Sequence, residues 1–236
     1  GGGGVESAIS DPPRSKQTLL LSHPACLLHA APCGELLDSI SAHEIRLLFG
    51  QPECADRLRT LLAPFGSLRA HAFAQLEWRA SPSAEVADVL RVHDYEYIRR
   101  LELQSADLSR AAAATPAVPQ IGKVDEDTEV TCHSLGAALR GAGALVEAVR
   151  AVCSSEARNA FCAVRPPGHH AGPRGAVGGQ SAGFCLLSNV AIGAAYALAC
   201  QREVVQRVGI IDFDVHHGNG TEACVKNVTP AERDEV

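Results

Sequence analysis

Val208-Gly-Ile-Ile-Asp-Phe213, running on into Asp214-Val-His216-His217-Gly218-Asn219-Gly220, is the stretch on which the fold turns. A continuous apolar run with one acid in it predicts a central parallel strand, covered on both faces. Working back from it, Val190 to Cys200 predicts a helix, and Gly172 to Gly183 a Gly-rich loop. Ala160-Phe-Cys-Ala-Val164 predicts a second strand, ended sharply by Pro166, Pro167 and Gly168. Ser134 to Val152 predicts the longest helix, with Ser134 as its cap and Leu135, Leu139, Ala142, Leu145 and Val149 on its buried face. Helix, strand, loop, helix, strand in that order predicts an α/β fold with a parallel central sheet flanked by helices. Such sheets bind ligands beyond the carboxyl ends of their strands, where both polar clusters of this sequence lie.

Further out the pattern is sparser. Thr18 to Ser22 predicts a short buried strand, and Glu53 to Leu62 a helix with Ala55, Leu58, Leu61 and Leu62 at helical spacing. Glu85 to Leu90 and Asp94 to Leu101 predict two more helices with His93 at their junction, and the Ala/Pro-rich Arg110 to Lys123 predicts a surface loop. Residues 1–16, rich in Gly, Ser and Pro, predict a flexible leader.

The 236 residues are 46% hydrophobic and 20% charged, enough for a sizeable core and against a disordered chain. A net charge of -6 argues against direct gripping of nucleic acid and suits attraction of a basic peptide. The 9 cysteines are scattered with no C-x-x-C pair, so the thiols are expected to serve mostly as small buried hydrophobes in a reducing compartment rather than as a disulfide framework. No apolar run is long enough to span a bilayer, and no signal peptide is visible.

Two clusters carry chemistry. In Arg165-Pro-Pro-Gly-His169-His170, two adjacent histidines follow a strand through a rigid turn. Imidazole titrates near neutrality, so a positioned pair can take and return a proton. In the second cluster, alternation along an extended segment puts Asp212, Asp214 and His216 on one face. A carboxylate and an imidazole facing the same way are natural zinc ligands. The bland alternatives are a pair of surface histidines and a capped strand end whose carboxylates satisfy loop amides. A third feature, Ala182-Gly183-Phe184-Cys185, sets a glycine that permits close backbone approach beside an aromatic that can wall a narrow tube.

Taken together, the strings RPPGHHA, GFC and DFDVHHGNGT resemble the zinc-dependent histone deacetylase family, which has the arginase/deacetylase fold. The Pro-Pro pair and Asn219 resemble its class II branch. Weaker echoes are His23-Pro24, Pro52 with Arg57-Leu58, Val92-His93 with Tyr95, and Asp127-Thr128. The resemblance implies Asp214 and His216 as metal ligands for Zn2+, and His169 and His170 as the proton-transfer pair. It implies that Asp212 orients His169, that Asn219 lies by His170, and that Gly183 and Phe184 line an acetyl-lysine channel. It also implies a structural K+ near Asp212, Asp214 and His216. The reaction implied is metal-assisted hydrolysis of the acetyl amide of N-acetyl-lysine in histone tails or other proteins, with a role in chromatin regulation and no membrane or nucleic-acid partner.

The family's third zinc ligand, an Asp, and its oxyanion-stabilising Tyr come from later motifs that this sequence lacks. Residues 17–236 are therefore expected to form the N-terminal part of a deacetylase catalytic domain, incomplete toward its C-terminus. Leu48 to Pro52 also departs from the family, which often carries a His there. Two alternatives stand beside the deacetylase: hydrolysis of acetylpolyamines or other small acyl amides at the same site, and a non-catalytic truncated product. A two-manganese ureohydrolase of the arginase type ranks low, because the RPPGHH turn does not fit it. Nothing in the sequence chooses among nucleus, cytoplasm and an organelle.

Overall fold

The computed structural model describes residues 17–30, 53–64 and 66–228. The expected leader and the departure at Leu48 to Pro52 lie outside these. Three parallel strands form the sheet, in the order β2 (Glu77–Ala80), β1 (Thr18–Ser22), β5 (Asn159–Cys162). Leu20 of the central strand faces Trp78 on one side and Phe161 on the other. Leu19, Leu20 and Leu21 are all buried, which explains the unbroken apolar run: a strand covered on both faces has no solvent side to pattern. A two-residue antiparallel pair, β3 (Gly122–Lys123) with β4 (Glu129–Val130), frames a turn beside the site.

Six α-helices are described: α1 (Asp56–Leu62), α2 (Val86–Val89), α3 (Tyr95–Ala114), α4 (Ser134–Cys153), α5 (Asn189–Cys200) and α6 (Asn219–Val228). The central one, α4, buries Ala137, Ala138, Gly141, Ala142, Gly143, Ala144, Ala148 and Ala151. Of the face expected from the sequence, Ala142 is buried. Leu135, Leu139 and Leu145 are only partly buried, because α4 is packed on two sides. Ala144, Ala148 and Ala151 meet Leu19 and Leu21 of the sheet, while Ala138 and Ala142 join Ala191 and Ile192 of α5. Small residues let both neighbours come close, so the expected face is corrected from large to small. Ser134 does not cap by the expected route either: it is itself buried, and its Oγ accepts from the Thr131 amide at 2.9 Å and meets His29 Nδ1 at 3.0 Å.

Two further expectations fail. Helix α3 continues through Ala111 to Ala114, where a loop was expected, because a run of alanines favours continuation until Pro116. The predicted strand at Val208–Phe213 is not a strand. Among the described residues it pairs with no other segment, and Ile211, Phe213 and Val215 are 88%, 98% and 91% exposed. Its apolar pattern is that of a buried strand, but a strand needs a partner for its amides and a cover for its side chains, and neither lies beside it. Of the described cysteines, seven are free: Cys26, Cys185 and Cys224 are buried as expected, whereas Cys54, Cys153 and Cys162 are half-buried and Cys200 is exposed; Cys132 is disulfide-bonded. No helix among the described residues is long and apolar enough to cross a membrane.

Candidate active site

The site is assembled at the carboxyl end of β5. Ala163 continues the ladder by donating to Leu21 O, and Arg165 then turns inward. Its guanidinium makes two bonds to the Glu53 carboxylate at 2.5 Å each, and reaches Cys26 O at 3.1 Å and His29 O at 3.4 Å. This buried knot ties the turn to the segment after β1. The Pro-Pro-Gly stretch packs on residues 186–189: Leu186 N donates to Pro167 O at 3.3 Å and Asn189 Nδ2 to Pro166 O at 3.2 Å. A side chain at Gly168 would put its Cβ 2.1 Å from Leu187 O, so this packing requires glycine. His93, buried, receives the Ser188 amide on Nε2 at 2.9 Å, and burial lowers its pKa to about 4.

The tandem histidines that follow lie ring against ring, with centroids 4.0 Å apart and planes tilted by 46°. Each is anchored through Nδ1, to a different kind of partner. His169 Nδ1 meets Asp212 Oδ2 at 3.1 Å, and His170 Nδ1 meets Asn219 Oδ1 at 2.7 Å. The Gly220 amide donates to that same Asn219 oxygen at 3.0 Å, which fixes Oδ1 as the atom facing the ring. His170 must then be the donor, leaving Nε2 as its acceptor.

Asp214 and His216 stand on the far side. Their alternation on an extended strand is not what brings them together. The chain bends at 214–216, and each carboxylate accepts from the amide two residues on: Asp212 Oδ1 from Asp214 N at 3.1 Å, Asp214 Oδ2 from His216 N at 2.8 Å. The bland reading of these carboxylates thus describes part of what they do. Asp214 Oδ2 also lies 2.9 Å from His216 Nδ1. The His216 amide and then its ring hold the Asp214 carboxyl below the usual range. The His216 ring centroid is 6.1 Å from that of His170. His169, His170, Gly183, Phe184, Asp212, Asp214 and His216 all line one open cavity of ≈ 1100 Å³, and Asn219 supports it through His170.

Gly183 and Phe184 both take left-handed conformations, with φ of 52° and 66°. A Cβ at Gly183 would come within 2.5 Å of His170 Cδ2, so this glycine is what lets the loop close on the ring. A non-glycine residue at positive φ needs support, and it comes from residues that sequence reading passed over. Ala182 N donates to Asp125 Oδ2 at 2.8 Å, Phe184 N to Thr128 Oγ1 at 3.2 Å, and Ser181 Oγ bridges Asp125 and Asp127. Burial works against ionising Asp125, but the Ala182 amide, Thr128 and Ser181 outweigh it and lower its pKa. Burial and the neighbouring Asp125 raise that of Asp127. The Asp127-Thr128 echo was the one trace of this buttress in the sequence; Asp125 and Ser181 left none. Cys185 sits beside the pair, its Sγ 3.4 Å from the His170 amide, and burial pushes its thiol up to about 12. A thiol so held is no nucleophile at neutral pH.

For a metal, the chemistry of the donors fits zinc: an imidazole nitrogen and a carboxylate oxygen 2.9 Å apart on an open wall of the cavity. They would supply two ligands. Among the described residues no group of three or more His, Cys, Asp or Glu converges as a metal site.

Comparison with known proteins shows the family. A histone deacetylase domain is recognised over residues 51–231. The chain is 32% identical over 222 residues to type-2 histone deacetylase 2 of Dictyostelium discoideum, covering 87% of this chain and 12% of that protein. It is 37% identical over 172 residues to a histone deacetylase-like amidohydrolase of Pseudomonas aeruginosa, covering 73% and 39%. It is 31% identical over 201 residues to histone deacetylase 8 of Arabidopsis thaliana, covering 84% and 48%. The crystal structure of the HDA15 HD domain superposes with a TM-score of 0.67 at 28% identity, over 89% of this chain and 50% of that one. The chain thus spans less than half the length of these three curated relatives. With the parallel sheet, the tandem histidines at its carboxyl end and a domain match over most of the sequence in agreement, this chain belongs to the histone deacetylase family.

Proposed function

We propose that this chain carries the proton-transfer apparatus of a metal-dependent deacetylase, acting on the acetyl amide of N-acetyl-lysine in histone tails or other acetylated proteins. The observation that carries the reading is the double anchoring of His169 and His170 through Nδ1, with both rings in the cavity that holds Asp214 and His216. Asp214 and His216 would hold Zn2+. When bound, the ion polarises the acetyl carbonyl and acidifies water in the cavity.

The residues of the chain then do the following. His170 accepts a proton from water on Nε2, its Nδ1–H being committed to Asn219. The oxygen adds to the acetyl carbon. His169 in its charged form gives a proton to the lysine nitrogen as the C–N bond breaks, and acetate and free lysine leave. A carboxylate beside an imidazole stabilises the imidazolium that forms, and an amide does not, which assigns the acid to His169 and the base to His170. Gly183 and Phe184 line the approach for the aliphatic stem of the lysine. Pro166-Pro167 and Asn219 favour the class II branch. The acidic balance of the chain suits a basic peptide.

The test is acetate release from an acetyl-lysine peptide by the zinc-loaded chain, in competition with N-acetylspermidine, beside His170→Ala and a metal-free control. Release that needs zinc and His170 supports the reading, and preference for the spermidine moves the substrate to acyl polyamines. A folded, zinc-bound chain that releases no acetate refutes it in favour of a non-catalytic product.

A further inference from the structure

We propose that Gln180 is a positioning residue for His170, acting through Asn219; this rests on the role assigned above to His170. Asn219 differs from a carboxylate in having one end that accepts and one that donates, so it serves the ring in only one orientation. Its oxygen is fully used, by His170 Nδ1 at 2.7 Å and by the Gly220 amide at 3.0 Å. Its nitrogen points outward, and the partner it finds there is Gln180 Oε1 at 3.4 Å. The Gly220 amide opposes a flip of the amide group, and Gln180 restrains the opposite end, so that Asn219 is held at both.

The restraint is only as firm as the loop that carries it. Gln180 follows Gly178 and Gly179, both at positive φ, with nothing within 4 Å of where their side chains would be. It precedes Ser181, which is bound to Asp125 and Asp127, and Ala182, whose amide is bound to Asp125. Gln180 N itself donates to Val177 O at 3.2 Å. A yielding segment thus ends on a fixed post, and Gln180 is the side chain at the junction. Through it, the loop that lines the cavity bears on which nitrogen of His170 carries the proton.

The chemistry of position 180 separates this from a merely structural role. Gln180→Glu can only accept, and keeps the outward amide nitrogen satisfied. Gln180→Lys can only donate, and draws the Asn219 oxygen outward, which turns the amide nitrogen toward His170 Nδ1 and moves the ring proton to Nε2. In the metal-free chain at about pH 9, where imidazole is neutral, ring ¹⁵N spectra assigned by comparison with His170→Ala read the tautomer directly. The wild type and Gln180→Glu should show the Nδ1–H form. Gln180→Lys should show the Nε2–H form as the larger population, and Asn219→Asp in the Gln180→Lys background should restore Nδ1–H, because either carboxylate oxygen accepts. An unchanged Nδ1–H pattern in Gln180→Lys, or an Nε2–H wild type, overturns the proposal. The spectra need no turnover, so failure of the deacetylase reading would show in the acetate assay alone.

Discussion

Arg165 and Glu53 are the pair on which the site's footing depends, and their removal has a calculable cost. Both side chains are almost fully buried, at 4% and 3% exposure, and they meet through two bonds of 2.5 Å. In Arg165→Met the Glu53 carboxylate stays buried, with His29 Nε2 at 3.6 Å as its nearest basic group among the described residues. Breaking a buried pair from one side costs about 3–5 kcal/mol, because the charge left behind has lost its compensation. For a chain of this size each kcal/mol lowers Tm by roughly 2–4 °C, giving a fall of roughly 6–20 °C. The double variant Arg165→Met/Glu53→Leu should cost less than Arg165→Met alone, since no charge is stranded. Urea unfolding followed by circular dichroism, for the two singles and the double at neutral pH, measures all of this. A cost below about 1 kcal/mol for Arg165→Met, or a double variant that simply sums the singles, would refute the reasoning.

Three other outcomes are expected. Phe213→Ser should change the stability of this chain by no more than about 0.5 kcal/mol, whereas a Phe in a buried strand would cost about 3–5, so denaturant midpoints distinguish the two placements. Burial lowers the pKa of His29 and of His93 from 6.5 to about 4. The unfolded chain therefore binds more protons than the folded one between those values, so their contribution is complete above pH 6.5 and drains away toward pH 4. It is up to about 3 kcal/mol for each, and His93→Gln should flatten that limb of the stability curve. Gly183→Ala should leave the fold cooperative but displace the His170 ring, because the added methyl meets Cδ2 at 2.5 Å; acetate release should fall about tenfold or more, and the side chain at φ 52° should cost about 1 kcal/mol or more of stability.

What the sequence determined by itself was the family and the place where its polar clusters meet. The runs at 18–22 and 160–164 became strands, the clusters at 165–170 and 212–220 met in one cavity, and Gly183 was needed for close approach. These were legible because a local pattern sufficed: an apolar run with a turn behind it, or paired polar residues whose types are costly without a use. Tertiary structure decided what depends on neighbours. It buried alanines on α4 rather than leucines, because a helix pressed from two sides has room only for small groups. It left Ile211 and Phe213 in the open, because a strand exists only where another segment completes its hydrogen bonds. And it set Gln180, from a loop with no motif, behind the amide that orients His170, a contact made across a fold and so written in no single stretch of the chain.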